Sequence, residues 1–233
     1  MSHTFCVATG MPKHDARIDR MNGVAARVES ISGRFLGYPY LAHSLVGSVD
    51  TPEVFNDSLK GFDCVTYIES VMALVYADET KDYSSVLKKL RYSNGRVEWR
   101  RRNHYMTQWL KNNVRHGLIR RVGLRWATAR KRRVLDIIPG LPTSRASFSC
   151  IPKKSFSSAQ SEIHTGDLIF FASTRSNLDV FHCGILIRQG DSWVLRHASR
   201  TRGSVVDQDL ASFLKENRMA GLMLARPCDR SRR

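Results

Sequence analysis

The chain has 233 residues, of which 42% are hydrophobic, 9% aromatic and 25% charged, so the composition excludes a disordered or fibrous protein and supports a sizeable core. The formal net charge is +16, and residues 111–154 contain twelve Lys or Arg side chains but one acid. A positive field of this size predicts either a solvated basic face or contact with an anionic polymer, such as nucleic acid or cell-wall material.

The N-terminal twenty residues lack the pattern of a secretion signal. Their apolar run is short, ends before Pro12 and has no basic segment ahead of it. The longest apolar run, from Val71 to Ala77, is too short to cross a bilayer. We therefore expect no membrane span, and a protein that is cytoplasmic as synthesised or reaches the periplasm or a target-cell wall by a signal-independent route.

Residues 15–110 are predicted to form a mainly helical part. Apolar residues recur at helical spacing from Asp15 to Phe35, and Asp63 is a good cap for a second helix. The segment "SSVLKKLRY" predicts a third, short helix. The segment "RYSNGRVEW" predicts a hairpin, because Asn94-Gly95 is a typical two-residue turn between strand-like runs.

Residues 111–160 are predicted to be a basic insertion or loop of irregular structure, because their second half is rich in Pro and Ser. In residues 161–228 the pattern changes to strands, in "GDLIFFAST", "DVFHCGILIRQGDSWVLRHAS" and, after a short helix, "GLMLARP". We therefore expect one α+β domain over residues 1–233, with N-terminal helices and an antiparallel sheet in the C-terminal part.

Cys64 follows the predicted cap of the second helix. In the first turn of a helix, unpaired N–H groups and the helix dipole favour a thiolate, and the backbone N–H of the cysteine can stabilise an oxyanion. Taken alone, such a cysteine is more often a small buried hydrophobe. The five cysteines are widely spaced without a C-x-x-C pair, which indicates neither a disulfide framework nor a zinc site.

His182 and His197 lie on two strands joined by a predicted tight turn. A turn at Gln189-Gly190 would make them direct cross-strand neighbours, and a turn at Gly190-Asp191 would make them diagonal but still on one face. A three-residue turn would separate them. Adjacent imidazoles can serve as a base and as the group that fixes its tautomer. A cysteine opening a helix, followed by two such strand residues, has the papain-like order.

The segments "FLGYPY", "FDCVTYIE", "GDLIFF", "FHCGILI" and "LRHAS" resemble those of the NlpC-type cell-wall peptidases, which are papain-like cysteine hydrolases. More narrowly, "DCVTYIESVMAL", "LRYSNG", "RRNHYMTQWL" and "IPKK" resemble an N-acetylmuramoyl-L-alanine amidase-like branch. The resemblance extends from about Phe35 to Arg226. It implies a papain-like fold and hydrolysis of an amide bond in bacterial peptidoglycan.

The resemblance also implies roles for individual residues. Cys64 matches the nucleophile, His182 the general base and acid, and His197 the orienting third member. Asp63 matches a position that helps to bind a free amine of the substrate. Tyr40 matches a tyrosine that lines the pocket and can donate to the oxyanion.

Arg102, Asn103 and His104 match a motif of the narrower branch. Two interpretations are open: they bind a carboxylate of the stem peptide, or they form a hydrogen-bonded support for a loop. His104 is also an alternative third catalytic member, in place of His197.

Three functions follow from these observations. The first is an amidase or peptidase that cleaves the lactyl–L-Ala bond or a stem-peptide bond through a thioester, with no metal or other cofactor. The second is an acyltransferase or transamidase with the same Cys-His-His site, although placement of the cysteine before the histidines favours hydrolysis. The third is a non-enzymatic protein that binds nucleic acid through its basic stretch. For the first two, peptidoglycan or a muropeptide is the expected partner, and residues 111–154 are the expected contact for an anionic polymer.

Overall fold

A computed structural model describes residues 23–78 and 81–229. The helices are α1 (Val24–Gly33), α2 (Cys64–Tyr76), α3 (Tyr83–Arg91), α4 (Met106–Arg115), α5 (Phe156–Ala159) and α6 (Leu210–Glu216). Short 3₁₀ segments cover Ser93–Gly95, Trp99–Arg101, Leu124–Trp126, Lys153–Ser155 and Gln160–Glu162. No helix in the described ranges is both long and apolar enough to span a membrane.

The strands are β1 (Ile119–Val122), β2 (Ala129–Leu135), β3 (Ser144–Cys150), β4 (Leu168–Ala172), β5 (Val180–Gln189), β6 (Ser192–Ser199), β7 (Ser204–Asp209) and β8 (Gly221–Pro227). Six of them form one antiparallel sheet in the order β1-β8-β4-β5-β6-β7, and β2 and β3 form a separate hairpin. Helices in the first half and an antiparallel sheet in the second confirm the predicted α+β class.

Helix α2 begins at Cys64 because Asp63 caps it. Asp63 Oδ1 accepts from the backbone N–H of Val65 at 3.0 Å and of Thr66 at 2.7 Å, and the Thr66 hydroxyl accepts from Asp63 N–H at 2.9 Å. This reciprocal capping box fixes the first turn. The rest of α2 is buried on nearly all sides and packs against β5 and β6, so the helix tip is held at the sheet.

A buried carboxylate joins α2 to two other helices. Glu69 Oε2 accepts from Arg91 Nε at 2.7 Å, and Glu69 Oε1 accepts from Trp109 Nε1 at 3.1 Å. Both partners in the ion pair are almost fully buried. Because a buried charge is costly unless it is paired and hydrogen-bonded, the three helices are held in one arrangement relative to the nucleophile helix.

Asp179 connects α4 to the start of β5. Its Oδ2 accepts from both the backbone N–H and the hydroxyl of Thr107, each at 2.7 Å. The carboxylate thus takes the position of a cap at the N-terminus of α4, where negative charge is favourable. This contact lies three residues before His182.

The β5–β6 turn decides the histidine geometry. Gln189 pairs with Ser192 and Ile185 with Arg196, so the turn is Gly190-Asp191. The alternative with Gln189-Gly190 is wrong and the shifted one is confirmed. Continued beyond the last pair, this register makes His182 and His197 diagonal neighbours on one face.

Two further predictions are wrong. Asn94-Gly95 forms no hairpin: both residues have positive φ, 59° and 71°, but they lie in a 3₁₀ turn, and Tyr92 instead bridges to Arg102. Residues 111–160 are not irregular, because they contain β1 and the β2–β3 hairpin, and β1 joins the edge of the main sheet beside β8. The four consecutive cations at residues 130–133 give β2 no alternation of apolar and polar residues in the sequence, so the strand was not recognised.

Other differences concern the ends of elements. The predicted helix from Asp15 to Phe35 is helical at Val24–Gly33, and residues 15–22 lie outside the described ranges. Strand β7 at Ser204–Asp209 was not predicted. The assignment of residues 1–233 to one domain stays a prediction.

Candidate active site

Cys64 is the first residue of α2 and is half-buried. A hydrogen bond from the Cys183 thiol, followed by the hydrogen bond and charge of His182, lowers the pKa of the Cys64 thiol well below its usual value, although burial opposes this. Asp63 occupies the N–H groups of Val65 and Thr66, whereas the N–H of Cys64 has no acceptor among the described residues. The site therefore combines a stabilised thiolate with a free backbone donor beside it.

Cys183 lies on β5 and is fully buried. Its Sγ lies 3.2 Å from the carbonyl oxygen of Cys64, so its one S–H can turn either to that oxygen or to the Cys64 sulfur, a contact that the sequence did not indicate. Burial raises the pKa of the Cys183 thiol well above its usual value. Cys183 therefore stays protonated and acts as a donor to its neighbour.

His182 and His197 are in direct contact. His182 Nε2 lies 2.6 Å from His197 Nδ1, and the two rings are nearly perpendicular, at 81°. His182 Nδ1 thus remains available toward the Cys64 thiol. Burial, followed by the charge of His182, lowers the pKa of His197 to about 3, so His197 is a neutral imidazole at physiological pH.

Gln208 and Glu216 extend this contact outward. His197 Nε2 lies 3.2 Å from Gln208 Oε1, and Gln208 Nε2 donates to Glu216 Oε2 at 3.2 Å. Because a carboxylate only accepts, the amide turns its N–H₂ to Glu216 and its oxygen to His197, which is then protonated at Nε2. His197 Nδ1 in turn accepts from His182 Nε2–H, which leaves the His182 Nδ1 lone pair for the thiol proton.

Aromatic rings pack against both imidazoles. Phe171 stacks on His182 at 6.1 Å between ring centroids, and Phe213 lies 5.5 Å from His182 and 5.7 Å from His197. Phe171 and Phe213 are buried. These rings restrict the histidine rotamers and exclude water from the side of the pair that faces α6.

Tyr40 and Asp63 are both close to Cys64. Burial, followed by the charges of Cys64 and Asp63, raises the pKa of Tyr40, so its phenol keeps its proton. Burial, followed by the charge of Cys64, raises the pKa of Asp63. The three capping hydrogen bonds of Asp63 converge on Oδ1, and Oδ2 has no hydrogen bond to the described residues. A protonated phenol and a carboxylate oxygen therefore flank the thiol.

Arg102, Asn103 and His104 form a separate cluster. Arg102 donates to Glu53 Oε1 at 3.0 Å, and His104 Nε2 donates to the Trp99 carbonyl at 2.7 Å. Burial lowers the pKa of His104 to about 4. The imidazole in contact with His182 is His197 and not His104.

Both polar atoms of the Asn103 side-chain amide form hydrogen bonds inside the protein. Its Nδ2 donates to the Leu90 carbonyl at 3.0 Å, and its Oδ1 accepts from Asn112 Nδ2 at 2.6 Å. Asn103 is buried. These contacts tie the segment after α3 to α4.

Within residues 23–78 and 81–229, no group of three or more His, Cys, Asp or Glu side chains is placed to hold a metal ion. The arrangement that the structure does contain is a thiol on a helix tip, an imidazole able to take its proton, and a neutral imidazole behind it. Such a set is suited to nucleophilic attack on a carbonyl carbon.

Comparison with known proteins identifies the family of this chain. The profile of the AmiA-like family, described as N-acetylmuramoyl-L-alanine amidase-like, matches residues 30–222. A crystal structure of an N-acetylmuramoyl-L-alanine amidase from Bacteroides uniformis superposes with a TM-score of 0.77 at 24% identity, covering 88% of this chain and 99% of that one. No curated protein sequence matches the chain significantly.

Two other solved structures share the fold. A Legionella pneumophila protein of the DUF1460 family gives a TM-score of 0.77 at 22% identity, over 88% of this chain and 89% of that one. A Bacteroides fragilis protein with a provisional xylanase assignment gives 0.74 at 24% identity, over 84% and 99%. At these identities the structural likeness shows the architecture alone.

Proposed function

Because the chain belongs to the AmiA-like, N-acetylmuramoyl-L-alanine amidase-like family, we propose that it is a cysteine-dependent amidase or peptidase that hydrolyses an amide bond of bacterial peptidoglycan. The observation that carries the proposal is the contact between His182 and His197, together with the hydrogen bond and charge of His182 that help to lower the pKa of the Cys64 thiol. We also propose that the arrangement is papain-like, of the NlpC type.

The first half of the reaction forms a thioester. His182 Nδ1 takes the proton of Cys64, and the sulfur attacks the carbonyl carbon of the substrate amide. The resulting oxyanion accepts hydrogen bonds from Cys64 N–H and the Tyr40 hydroxyl. When the tetrahedral intermediate collapses, the C–N bond breaks and the His182 imidazolium gives its proton to the leaving amine.

The second half restores the enzyme. His182 takes a proton from a water molecule, whose oxygen attacks the thioester carbonyl. The C–S bond then breaks, the carboxylic product leaves, and the proton on His182 returns to the sulfur. His197 remains neutral throughout and holds His182 in the tautomer that each half requires.

We propose that Asp63 contributes to substrate binding as well as to helix capping. Its Oδ2 is available to accept from a free amine of a stem peptide, while Oδ1 continues to cap α2. For Asn103 and His104 the internal hydrogen bonds favour the supporting role over carboxylate binding.

The test is digestion of purified muropeptides, with products identified by mass spectrometry. We expect the wild-type protein and a Cys228→Ala control to release the same fragments and Cys64→Ala to release none. Cys228 is a matched control because it is also a half-buried free cysteine.

Release of identical fragments by Cys64→Ala, or of none by the wild type, contradicts the proposal. Products with a new amide or ester in place of a carboxylate would instead indicate the acyltransferase. A covalent adduct of substrate mass on Cys64, seen at short times, would support the thioester directly.

A further inference from the structure

Three adjoining clefts lie along the β2–β3 hairpin. The first, of about 760 Å³, lies between α4 and the hairpin, and two others of about 380 and 590 Å³ continue past the hairpin to the segment after β1. Arg121 on β1 lines all three. The first two clefts also share Ser147 and Phe148, and the last two share Leu124, so the three clefts adjoin one another along β1 and the hairpin; together they are called the groove.

The groove is strongly cationic. Its principal cationic side chains are Arg100, Lys111, Arg121, Arg125, Arg130 and Arg145. Among the described residues that line it, the one carboxylate is Glu162, which is already bound by Arg125 and by Trp126 Nε1. Positive charge in a concave surface attracts and concentrates anions.

Arg121 carries a buried donor that the described residues leave unpaired. Its Nη2 donates to the Ser149 carbonyl at 3.0 Å, but its buried Nε has no hydrogen-bond partner among the described residues. Burial lowers the pKa of Arg121, and no carboxylate offsets this. A partly buried cation without a counter-charge is stabilised when an anion binds.

On the exposed face of the hairpin, arginine lies opposite serine at two positions. Arg130 pairs with Ser149 and Arg132 with Ser147 across the two strands. Arginine forks and serine hydroxyls are donors that match the oxygens of phosphate groups. The next pair on this face is Val134 with Arg145, so a cation is present at three successive positions along it.

The groove does not suit recognition of bases. Apart from the rim at Trp126, the aromatic residues of the described lining are Tyr105 and Phe148, with exposures of 6% and 7%. Proteins that bind single-stranded nucleic acid instead present aromatic rings on which bases stack. The chemistry of the groove therefore fits the phosphate backbone alone.

We propose that this cationic groove binds a base-free phosphodiester polymer, of the polyol-phosphate type found on bacterial cell walls. This deepens the proposed amidase function, because β1 and β5 are three strand positions apart in the sheet, about 14 Å. A wall polymer held in the groove would keep neighbouring peptidoglycan close to Cys64.

The experiment measures binding of fluorescently labelled poly(glycerol phosphate) by anisotropy at several salt concentrations. It uses the full chain with Cys64→Ala, so that binding is independent of hydrolysis. We expect saturable binding that weakens with salt. The variant Lys111→Gln/Arg130→Gln/Arg145→Gln should bind at least tenfold more weakly, and its slope of log K against log salt should fall by about 2.

The matched control removes three exposed cations outside the groove: Lys89→Gln/Lys215→Gln/Arg218→Gln. It has the same net charge as the groove variant and should bind within twofold of the parent. An equal loss of affinity in both variants would show that binding depends on net charge alone, and it would contradict the proposal that the groove is the binding site. Circular dichroism checks that both remain folded.

Duplex DNA with the same number of phosphates serves as competitor. If DNA binds more tightly than poly(glycerol phosphate) at the same salt, the partner is nucleic acid and the proposal is wrong. Absence of polymer binding, together with normal muropeptide cleavage by the wild type, would reject the groove while leaving the amidase intact. The two proposals can therefore fail separately.

Discussion

Gln208 Oε1 lies 3.2 Å from Nε2 of His197, although the two residues are on neighbouring strands and not directly opposite each other. His197 pairs with Val206, so Gln208 reaches it diagonally along β7. This contact sets which nitrogen of His197 carries the proton, and through it which nitrogen of His182 is free.

Replacing Gln208 by Leu should lower kcat about tenfold to a hundredfold with little change in KM, because the imidazoles lose the tautomer that general base catalysis needs. The pH at which iodoacetamide alkylates half of Cys64 should also rise. Gln189→Leu is the control, since Gln189 bonds to Asp207 at the exposed end of the same sheet. An unchanged alkylation profile in Gln208→Leu would mean that the residue has a structural role alone.

Cys183→Val should make Cys64 harder to ionise, because the variant removes the thiol that donates toward it. We expect the alkylation midpoint to rise by up to about one pH unit, the equivalent of one ordinary hydrogen bond. Cys183→Ser keeps a donor of similar size and should shift the midpoint less. If both variants behave alike, the thiol of Cys183 does not stabilise the Cys64 thiolate.

Substituting His197 by Leu should reduce kcat about a hundredfold or more, the range expected when general acid–base catalysis is lost. Because the pKa of His197 is about 3, its protonation should not contribute to the activity profile above pH 4. An acid limb of log kcat/KM in the wild type above pH 4 should therefore have a slope no greater than one. A slope of two would show that His197 titrates in that range.

His104 predicts a loss of stability in acid. Its pKa is about 4 in the folded protein and 6.5 when unfolded, so the unfolded chain binds more protons between these values and stability falls as the pH is lowered. From pH 7 to 4.5 the wild type should lose about 2 kcal/mol more than His104→Gln, as measured by urea denaturation. Equal losses of unfolding free energy in the two proteins would show that the pKa of His104 is not lowered in the folded protein.

The sequence predicted most of what lies near Cys64. The capped helix start, the strands of β5 and β6 and their common histidine face follow from local patterns that the structure retains. The exact turn required the structure, because Gln189-Gly190 and Gly190-Asp191 are both acceptable two-residue turns.

The remainder depended on contacts between distant residues. No local pattern in β7 indicated a role for Gln208, because apolar and polar residues alternate only weakly along this strand. The role of Gln208 comes from its diagonal contact with His197 on the neighbouring strand. Cys183 is a buried core residue, but its thiol also contacts Cys64 at the tip of α2. In residues 111–160 the many cations obscure the alternation of apolar and polar residues by which strands are recognised in a sequence. Some of these cations also line the groove.

The hydrogen bonds of Asp179 also connect α4 to β5, the strand that carries the proposed base His182. Helix α4 is also one wall of the 760 Å³ cleft. A polymer that seats against α4 would thus act on an element joined to β5 three residues before His182. Thermodynamic reciprocity then links the two events: any ligand that raises the affinity of the thiol site for its transition-state analogue must itself bind more tightly when that analogue is present.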